Sequence, residues 1–112
     1  MTTILDVAPA QVLARFGHAL SDPTRARLLL ALRAAPAYPA DMAQLLEVSR
    51  QGVSNHLACL RGCGLVVAVP EGRRVRYELA DPHLAEALGA LLATVLATDP
   101  VACGAAEQEG CC

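Results

Sequence analysis

Two segments with helical periodicity lie close together in the middle of the chain, and they constrain the fold more than any other feature. The first, 40–46, is short, and the second, 50–61, is longer. Between them, Glu47 and Val48 leave room only for a tight turn, and Ser49 belongs to the residue types that cap helix N-termini. A short helix, a tight turn and a longer helix together predict a helix-turn-helix.

The flanking segments predict a winged form of this motif. Apolar residues at helical spacing indicate further helices over 9–20, 24–34 and 81–98. A β-branched run at 65–69 and an alternating segment at 75–79 are joined by a predicted turn over 70–72 (PEG), which indicates a β-hairpin. The expected fold class is therefore mainly α with a small β-hairpin, in the order α-α-α-α-β-β-α.

Length and composition favour a single domain that pairs with a second copy. The 112 residues fall within the size of one domain, about 100–150 residues. Because aromatic residues make up only 3% of the chain, the core must be built from Leu, Ala and Val. A monomer of this size buries a thin core, and a homodimer would enlarge it.

The basic residues are confined to one part of the chain, although the net charge is −2. All 9 are arginines that lie between Arg15 and Arg76, whereas the chain from Asp81 onward contains acids and no arginine. Within 49–77, five arginines oppose Glu71 alone. Such a concentration on the second helix of the motif and on the hairpin predicts a surface that binds DNA.

The predicted helix 50–61 has three faces, because successive residues are about 100° apart. Val53, Leu57 and Leu60 form an apolar face that points to the core. A second face carries small polar and cationic side chains, which suit base edges and phosphates. The predicted DNA contacts are Arg50, Gln51, Ser54, Asn55 and Arg61 on this helix and Arg73, Arg74 and Arg76 on the hairpin.

Cys59 and Cys63 share the third face of this helix with His56. Two thiolates one helical turn apart can bind one metal ion and leave the base-reading side chains free. Thiolates select soft ions. We interpret His56 as a packed or phosphate-contacting residue and not as a ligand.

The remaining cysteines lie near the C-terminus, in a small polar segment at 99–112. We expect residues 1–98 to form a DNA-binding and dimerisation domain and 99–112 a flexible tail that carries Cys103, Cys111 and Cys112. The sequence shows no signal peptide and no apolar stretch of the roughly 20 residues that span a bilayer. A cytoplasmic protein without a membrane partner is expected. In that reducing compartment, metal or redox chemistry explains 5 cysteines better than disulfides do.

Three ordered segments resemble the ArsR/SmtB family of metalloregulators. The segment 53–60 (VSNHLACL) resembles the recognition helix of that family, 20–25 (LSDPTR) the opening of its second helix, and 72–77 (GRRVRY) its wing. The resemblance covers about residues 10–98. It implies a homodimer whose first and last helices pair, which binds a palindromic operator and represses genes for metal export or detoxification.

Within the family, the segment 59–64 (CLRGCG), with a later Cys103, resembles the cadmium- and lead-sensing members. This resemblance implies a site of three thiolates, in which Cys59 and Cys63 of one subunit are joined by Cys103 of the other. Cd(II) or Pb(II) is then the expected effector. Arsenite, As(III), comes second. For the adjacent Cys111 and Cys112, three roles stay open: capture of arsenite or mercury, supply of a fourth sulfur, or no part in the site. The last helix carries Asp81 and His83 without further ligands, which argues against a zinc site there.

Other functions stay open. The same fold is compatible with an arsenite-responsive repressor, with a repressor switched by thiol oxidation, and with a protein-interaction module. An enzyme is disfavoured, because Cys59 and His56 on a DNA-reading helix leave no substrate pocket. No organic cofactor is expected.

Overall fold

The structure is a computed structural model that describes residues 7–96. Its helices are α1 (Val7–Leu20), α2 (Pro23–Ala34), α3 (Pro39–Leu46), α4 (Arg50–Gly62) and α5 (Pro82–Leu96), and its strands are β1 (Val66–Glu71) and β2 (Arg74–Leu79). The predicted order of a winged helix-turn-helix is confirmed. The expected tail 99–112, with Cys103, Cys111 and Cys112, lies outside the described residues.

The core lies where α2, α3 and α4 meet. Aliphatic side chains supply it, as the aromatic-poor composition requires. The largest fully buried side chains are Leu28, Leu29, Met42, Val53, Leu57, Leu60 and Val66. The apolar face predicted for α4 is therefore confirmed, and it anchors this helix to the domain.

The turn between α3 and α4 is as tight as the sequence predicts. Glu47 adopts a left-handed conformation with φ 56°, and the Val48 N–H donates to the Ala43 carbonyl at 3.0 Å. The Ser49 hydroxyl then accepts a hydrogen bond from the Gly52 N–H at 2.9 Å, which caps α4. These local bonds fix the direction in which α4 leaves the core.

The wing comprises β1, β2 and the turn between them. The strands are antiparallel, in a register from Val66 opposite Leu79 to Glu71 opposite Arg74. Pro70 and Glu71, predicted to form the turn, belong to β1 instead. A proline is tolerated there because each strand of a two-stranded sheet has one unpaired edge.

The wing is also attached to the loop between α2 and α3, which the sequence did not predict. The Ala37 N–H donates to the Tyr77 carbonyl at 3.0 Å, and the Tyr77 N–H donates back to Ala37 at 2.8 Å. This bridge places the residue after Ala37, namely Tyr38, against the hairpin.

Several large apolar side chains of α1, α2 and α5 face outward. Leu30 of α2 and Leu91, Leu92 and Val95 of α5 line one pocket, and Leu13 of α1, the most exposed of the set, retains 70% of its surface. The set consists of Val12, Leu13, Leu30, Leu91, Leu92 and Val95, and we call it the apolar face. Among residues 7–96, no helix combines the length and the hydrophobicity that a membrane crossing needs.

Candidate DNA-binding surface and thiol pair

One exposed surface of α4 carries the polar residues that the sequence assigns to base contacts. Ser49 and the core contacts hold this helix, so its outer side chains project from a fixed support. Gln51 donates from Nε2 to the Asn55 Oδ1 at 2.9 Å, which orients both amides along the helix. The exposed residues of this surface are Arg50, Gln51, Ser54, Asn55 and Arg61, and we call it the reading face.

The three arginines of the wing differ in their surroundings. Arg73 is exposed at the tip. Arg74 is exposed as well, and its guanidinium carbon lies 3.4 Å from the centroid of the Tyr38 ring, with the Asp41 carboxylate 3.5 Å from Nη2. Arg76 is half-buried. The structure therefore separates a group of residues that the sequence treated as equivalent.

Arg76 is bound within the wing itself. Its Nη1 lies 2.7 Å from Oε2 of Glu71 and its Nη2 lies 3.7 Å from Oε2 of Glu78. Its Nε is buried and has no hydrogen-bond partner among residues 7–96. The contacts of Arg76 are those of a side chain that supports the hairpin.

Sequence reasoning missed Tyr38, which connects the wing to the rest of the domain. Its hydroxyl donates to Oε1 of Glu71, the same carboxylate that binds Arg76. This hydrogen bond, followed by burial, raises the pKa of Tyr38, so the phenol stays protonated at neutral pH and keeps its role as donor. The available signal was weak: an aromatic residue in a chain with few, placed directly before the proline that starts α3.

Cys59 and Cys63 lie one turn apart on α4, on the face that the helical wheel predicts for them. Both thiols are free and half-buried, between the buried core face and the exposed reading face. Cys63 occupies the C-terminal cap of α4, where its N–H donates to the Cys59 carbonyl at 3.0 Å. The two sulfurs are thus outside the sealed core, on a surface that α1 and α2 approach.

The pair has a distinct electrostatic setting. Burial raises the pKa of the Cys63 thiol, and the charge and hydrogen bond of Cys59 raise it further, whereas Arg15 and Arg25 oppose the shift. Because a thiol must lose its proton to bind a metal, ion capture at Cys63 is coupled to proton release. The pair shares its face of α4 with His56, whose imidazole lies beside Asp22 at the corner between α1 and α2.

That corner is held together by polar contacts around Arg25. Its Nε donates to the Ala19 carbonyl at 3.0 Å and its Nη2 to the His18 carbonyl at 2.9 Å, which closes the C-terminus of α1. Asp22 caps α2 by accepting from the Arg25 N–H, and this bond is the main reason why its pKa is lowered. The His56 Nε2 lies 3.8 Å from the same carboxylate and so connects α4 to the corner.

The donor set suits a soft ion but is small within the described part of the chain. Two sulfurs are the ligands that thiophilic ions prefer. Among residues 7–96, no group of three or more His, Cys, Asp and Glu side chains is placed to hold a metal ion. Asp81 and His83 are used locally, since the Asp81 Oδ1 accepts from the His83 N–H at 2.7 Å at the start of α5.

Comparisons with known proteins agree with this architecture. The family model for bacterial regulatory proteins of the arsR family matches residues 22–67, which include the helix-turn-helix. The transcriptional regulator CmtR of Mycobacterium tuberculosis is 62% identical over 87 residues, which are 78% of this chain and 74% of that protein. The chain belongs to the ArsR family of bacterial regulatory proteins. It is accordingly a DNA-binding transcriptional regulator, and its relatives are regulators, not enzymes.

Further similar proteins extend the comparison. The solution structure of CmtR, described as a cadmium sensor, has a TM-score of 0.64 and covers 77% of this chain and 90% of its own. A probable mercury resistance operon repressor of Streptomyces lividans is 39% identical over 80% of this chain and 70% of its own. A winged helix-turn-helix domain of Mycobacterium bovis, described as homodimeric, is 24% identical, with a TM-score of 0.77 over 84% of this chain and 87% of its own. That last likeness bears on the fold alone.

Proposed function

We propose that this chain is a homodimeric, cytoplasmic repressor that binds a palindromic operator and is released from it by Cd(II) or Pb(II). The ion is captured by Cys59 and Cys63 of one subunit together with Cys103 of the partner subunit. The observation that carries the proposal is the position of the thiol pair, on the recognition helix but on neither its core face nor its reading face. A single helix then reads DNA and senses the ion.

Release of the operator follows from where the pair sits. Cys59 and Cys63 lie in the C-terminal half of α4, next to the α1–α2 corner, whereas the reading face begins at the N-terminus of the same helix. Tying the C-terminal half of α4 to the partner's tail restrains the tilt of the helix. The two reading faces of a dimer must be one helical turn of DNA apart, so a small change of tilt weakens operator binding. Coupling of this kind amounts to about 1–3 kcal/mol.

The apolar face supports the dimer. Leu13 and Leu91 expose large parts of their side chains on α1 and α5, the helices expected to pair. Burial of one such side chain contributes about 1.5–3 kcal/mol. A second copy of the chain would therefore gain considerable free energy by covering this face.

The choice of ion rests on donor chemistry and on relatives. Soft thiolates favour Cd(II) and Pb(II) over hard ions. The two relatives with resistance or sensing functions in their names concern cadmium and mercury, which are both thiophilic. Arsenite and thiol oxidation are the alternatives that the experiment must separate.

The test is a titration of the operator complex with Cd(II). An operator fragment is first selected from random-sequence duplex DNA by the metal-free dimer, and release is followed by fluorescence anisotropy under anaerobic, reducing conditions. Replacing Cys103 with Ser should leave the operator affinity unchanged, because that residue is distant from the reading face in sequence and acts through the ion. The Cd(II) concentration that releases half of the operator should then rise at least about tenfold. This rise corresponds to a loss of about 1.4 kcal/mol of coupling free energy between ion binding and operator binding.

Matched variants decide between the alternatives. Cys112→Ser is the control, since it removes a thiol from the same tail and should leave release by Cd(II) intact. Unchanged release in Cys103→Ser for Cd(II) and Pb(II) would rule out the proposed site. Release by arsenite or by a mild oxidant alone, without response to Cd(II), would establish one of the other switches instead.

A further inference from the structure

A cavity of about 260 Å³ opens where α3, α4 and the wing meet. Arg50 and Ser54 of α4 and Arg74 of the wing line it. Tyr38 and Ala40, at the start of α3, line it as well. Two arginines from separate elements thus meet at one cavity, beside the reading face, where they suit a single anion.

Arg74 does not reach this cavity as a free side chain. Its guanidinium stacks on the Tyr38 ring at 3.4 Å from the centroid. Tyr38 is in turn fixed by its hydroxyl bond to Glu71, whose other oxygen binds Arg76 at 2.7 Å. The ring therefore orients the arginine, and the hydroxyl attaches the loop before α3 to the hairpin.

In the described structure, Oδ2 of Asp41 lies 3.5 Å from Nη2 of Arg74. This carboxylate would therefore compete with a bound anion for the guanidinium. Both side chains are more than half exposed, 56% for Arg74 and 66% for Asp41, and ion pairs this exposed contribute little to stability. A phosphate accepts shorter, charge-assisted hydrogen bonds from guanidinium groups. The positive end of the α3 dipole adds to the attraction, so a phosphate would displace Asp41.

We infer that this cavity binds one phosphate of the operator backbone in each half-site, shared between Arg50 and Arg74, with the Ser54 hydroxyl as a further donor. Tyr38 is the positioning residue that holds Arg74 toward this phosphate. The inference rests on the proposed function in one respect, since the phosphate belongs to operator DNA.

The experiment is a scan of the operator with methylphosphonates, which neutralise one phosphate at a time. Neutralising the shared phosphate should weaken binding of the wild-type dimer by about tenfold, the scale of one charge-assisted hydrogen bond. Arg50→Gln and Arg74→Gln should each lose part of the sensitivity at that same position, and the double variant should lose nearly all of it. In the double variant, the slope of log affinity against log salt should fall by about one released counterion per subunit. Two separate phosphates would lower it by roughly two.

Tyr38 is tested in the same scan. Tyr38→Leu removes the ring, and we expect about two- to fivefold weaker operator binding, the scale of an exposed cation–π contact, with reduced sensitivity at the shared phosphate. Tyr38→Phe retains the ring but removes its hydroxyl bond to Glu71, so it should retain most of that sensitivity. Tyr77→Phe is the matched control, since it makes the same change at a tyrosine outside the cavity. Thermal unfolding checks that each variant is folded.

Two results would overturn the inference while leaving operator binding intact. In one, the two arginine variants lose sensitivity at different phosphates. In the other, Tyr38→Leu responds to every methylphosphonate as the wild type does. Failure of the wild-type dimer to bind any selected operator would instead overturn the proposed function.

Discussion

At the scale of single residues, the surroundings of a charged side chain decide its function more than its position in the sequence does. Arg73 and Arg76 are three positions apart on the wing. The first is exposed, whereas the second is half-buried and paired with Glu71 and Glu78. A guanidinium that is already neutralised by two carboxylates releases few counterions from DNA.

These two arginines should therefore respond differently to substitution. Arg73→Gln should reduce the slope of log affinity against log salt by about one per subunit, because it removes a phosphate contact. Arg76→Gln should leave that slope nearly unchanged and lower thermal stability, because Glu71 and Glu78 lose their partner. The measurement is operator affinity at several salt concentrations, with a melting curve for each variant. An equal loss of slope in both variants would place Arg76 on the DNA.

The sequence predicts the faces of α4 well and the contacts of the wing poorly, for a physical reason. The buried, exposed and thiol faces of α4 follow from one helical period, which depends only on residues within a few positions of each other. The pairing of Tyr38 with Glu71 joins residues 33 positions apart, and that of Arg74 with Asp41 does so too. No local pattern encodes such pairs, so Tyr38 was missed and Arg74 looked equivalent to Arg73.

At the scale of elements, α4 depends on its N-terminal cap for a defined start. The Ser49 hydroxyl is the acceptor for the Gly52 N–H, and it marks the point where the turn ends and the reading face begins. Both Arg50 and Gln51 follow this cap directly. The geometry of the DNA-reading residues is therefore sensitive to the first turn of the helix.

We expect Ser49→Ala to cost about 1 kcal/mol of unfolding free energy, because a backbone donor of α4 loses its acceptor. Chemical denaturation of the metal-free dimer measures this loss. Ser54→Ala is the matched control, since Ser54 is exposed on the reading face and makes no cap. That variant should keep its stability and lose operator affinity. A destabilisation by Ser54→Ala as large as that by Ser49→Ala would contradict the assignment of the cap.

At the scale of the whole molecule, the apolar face and the reading face are on different elements, so assembly and DNA binding use separate surfaces. The helices of the core, α2, α3 and α4, connect the two. The thiol pair lies on the same face of α4 as His56, which is beside Asp22 at the corner of α1 and α2. Under the proposed function, this placement would let one ion act on both the geometry of a dimer and the helix that reads DNA.

The apolar face gives the last prediction, which concerns assembly. Leu13→Glu and Leu91→Glu each place a charge where a second copy would bury an apolar side chain, and a buried unpaired charge is costly. We expect either variant to sediment as a monomer at concentrations where the wild type is a dimer. Dissociation should also lower the operator affinity by at least about tenfold, because a monomer contacts one half-site only.

The matched control is Leu45→Glu, because Leu45 of α3 is 69% exposed, nearly as much as Leu13, but lies outside the apolar face. It makes the same chemical change and should leave the dimer intact. Sedimentation velocity on the three variants and the wild type decides the matter. If Leu45→Glu dissociates the dimer and the other two do not, the subunits meet through α3, and a dimer built on α1 and α5 is wrong. If all three stay dimeric, the subunits do not meet through the apolar face, and the interface lies elsewhere.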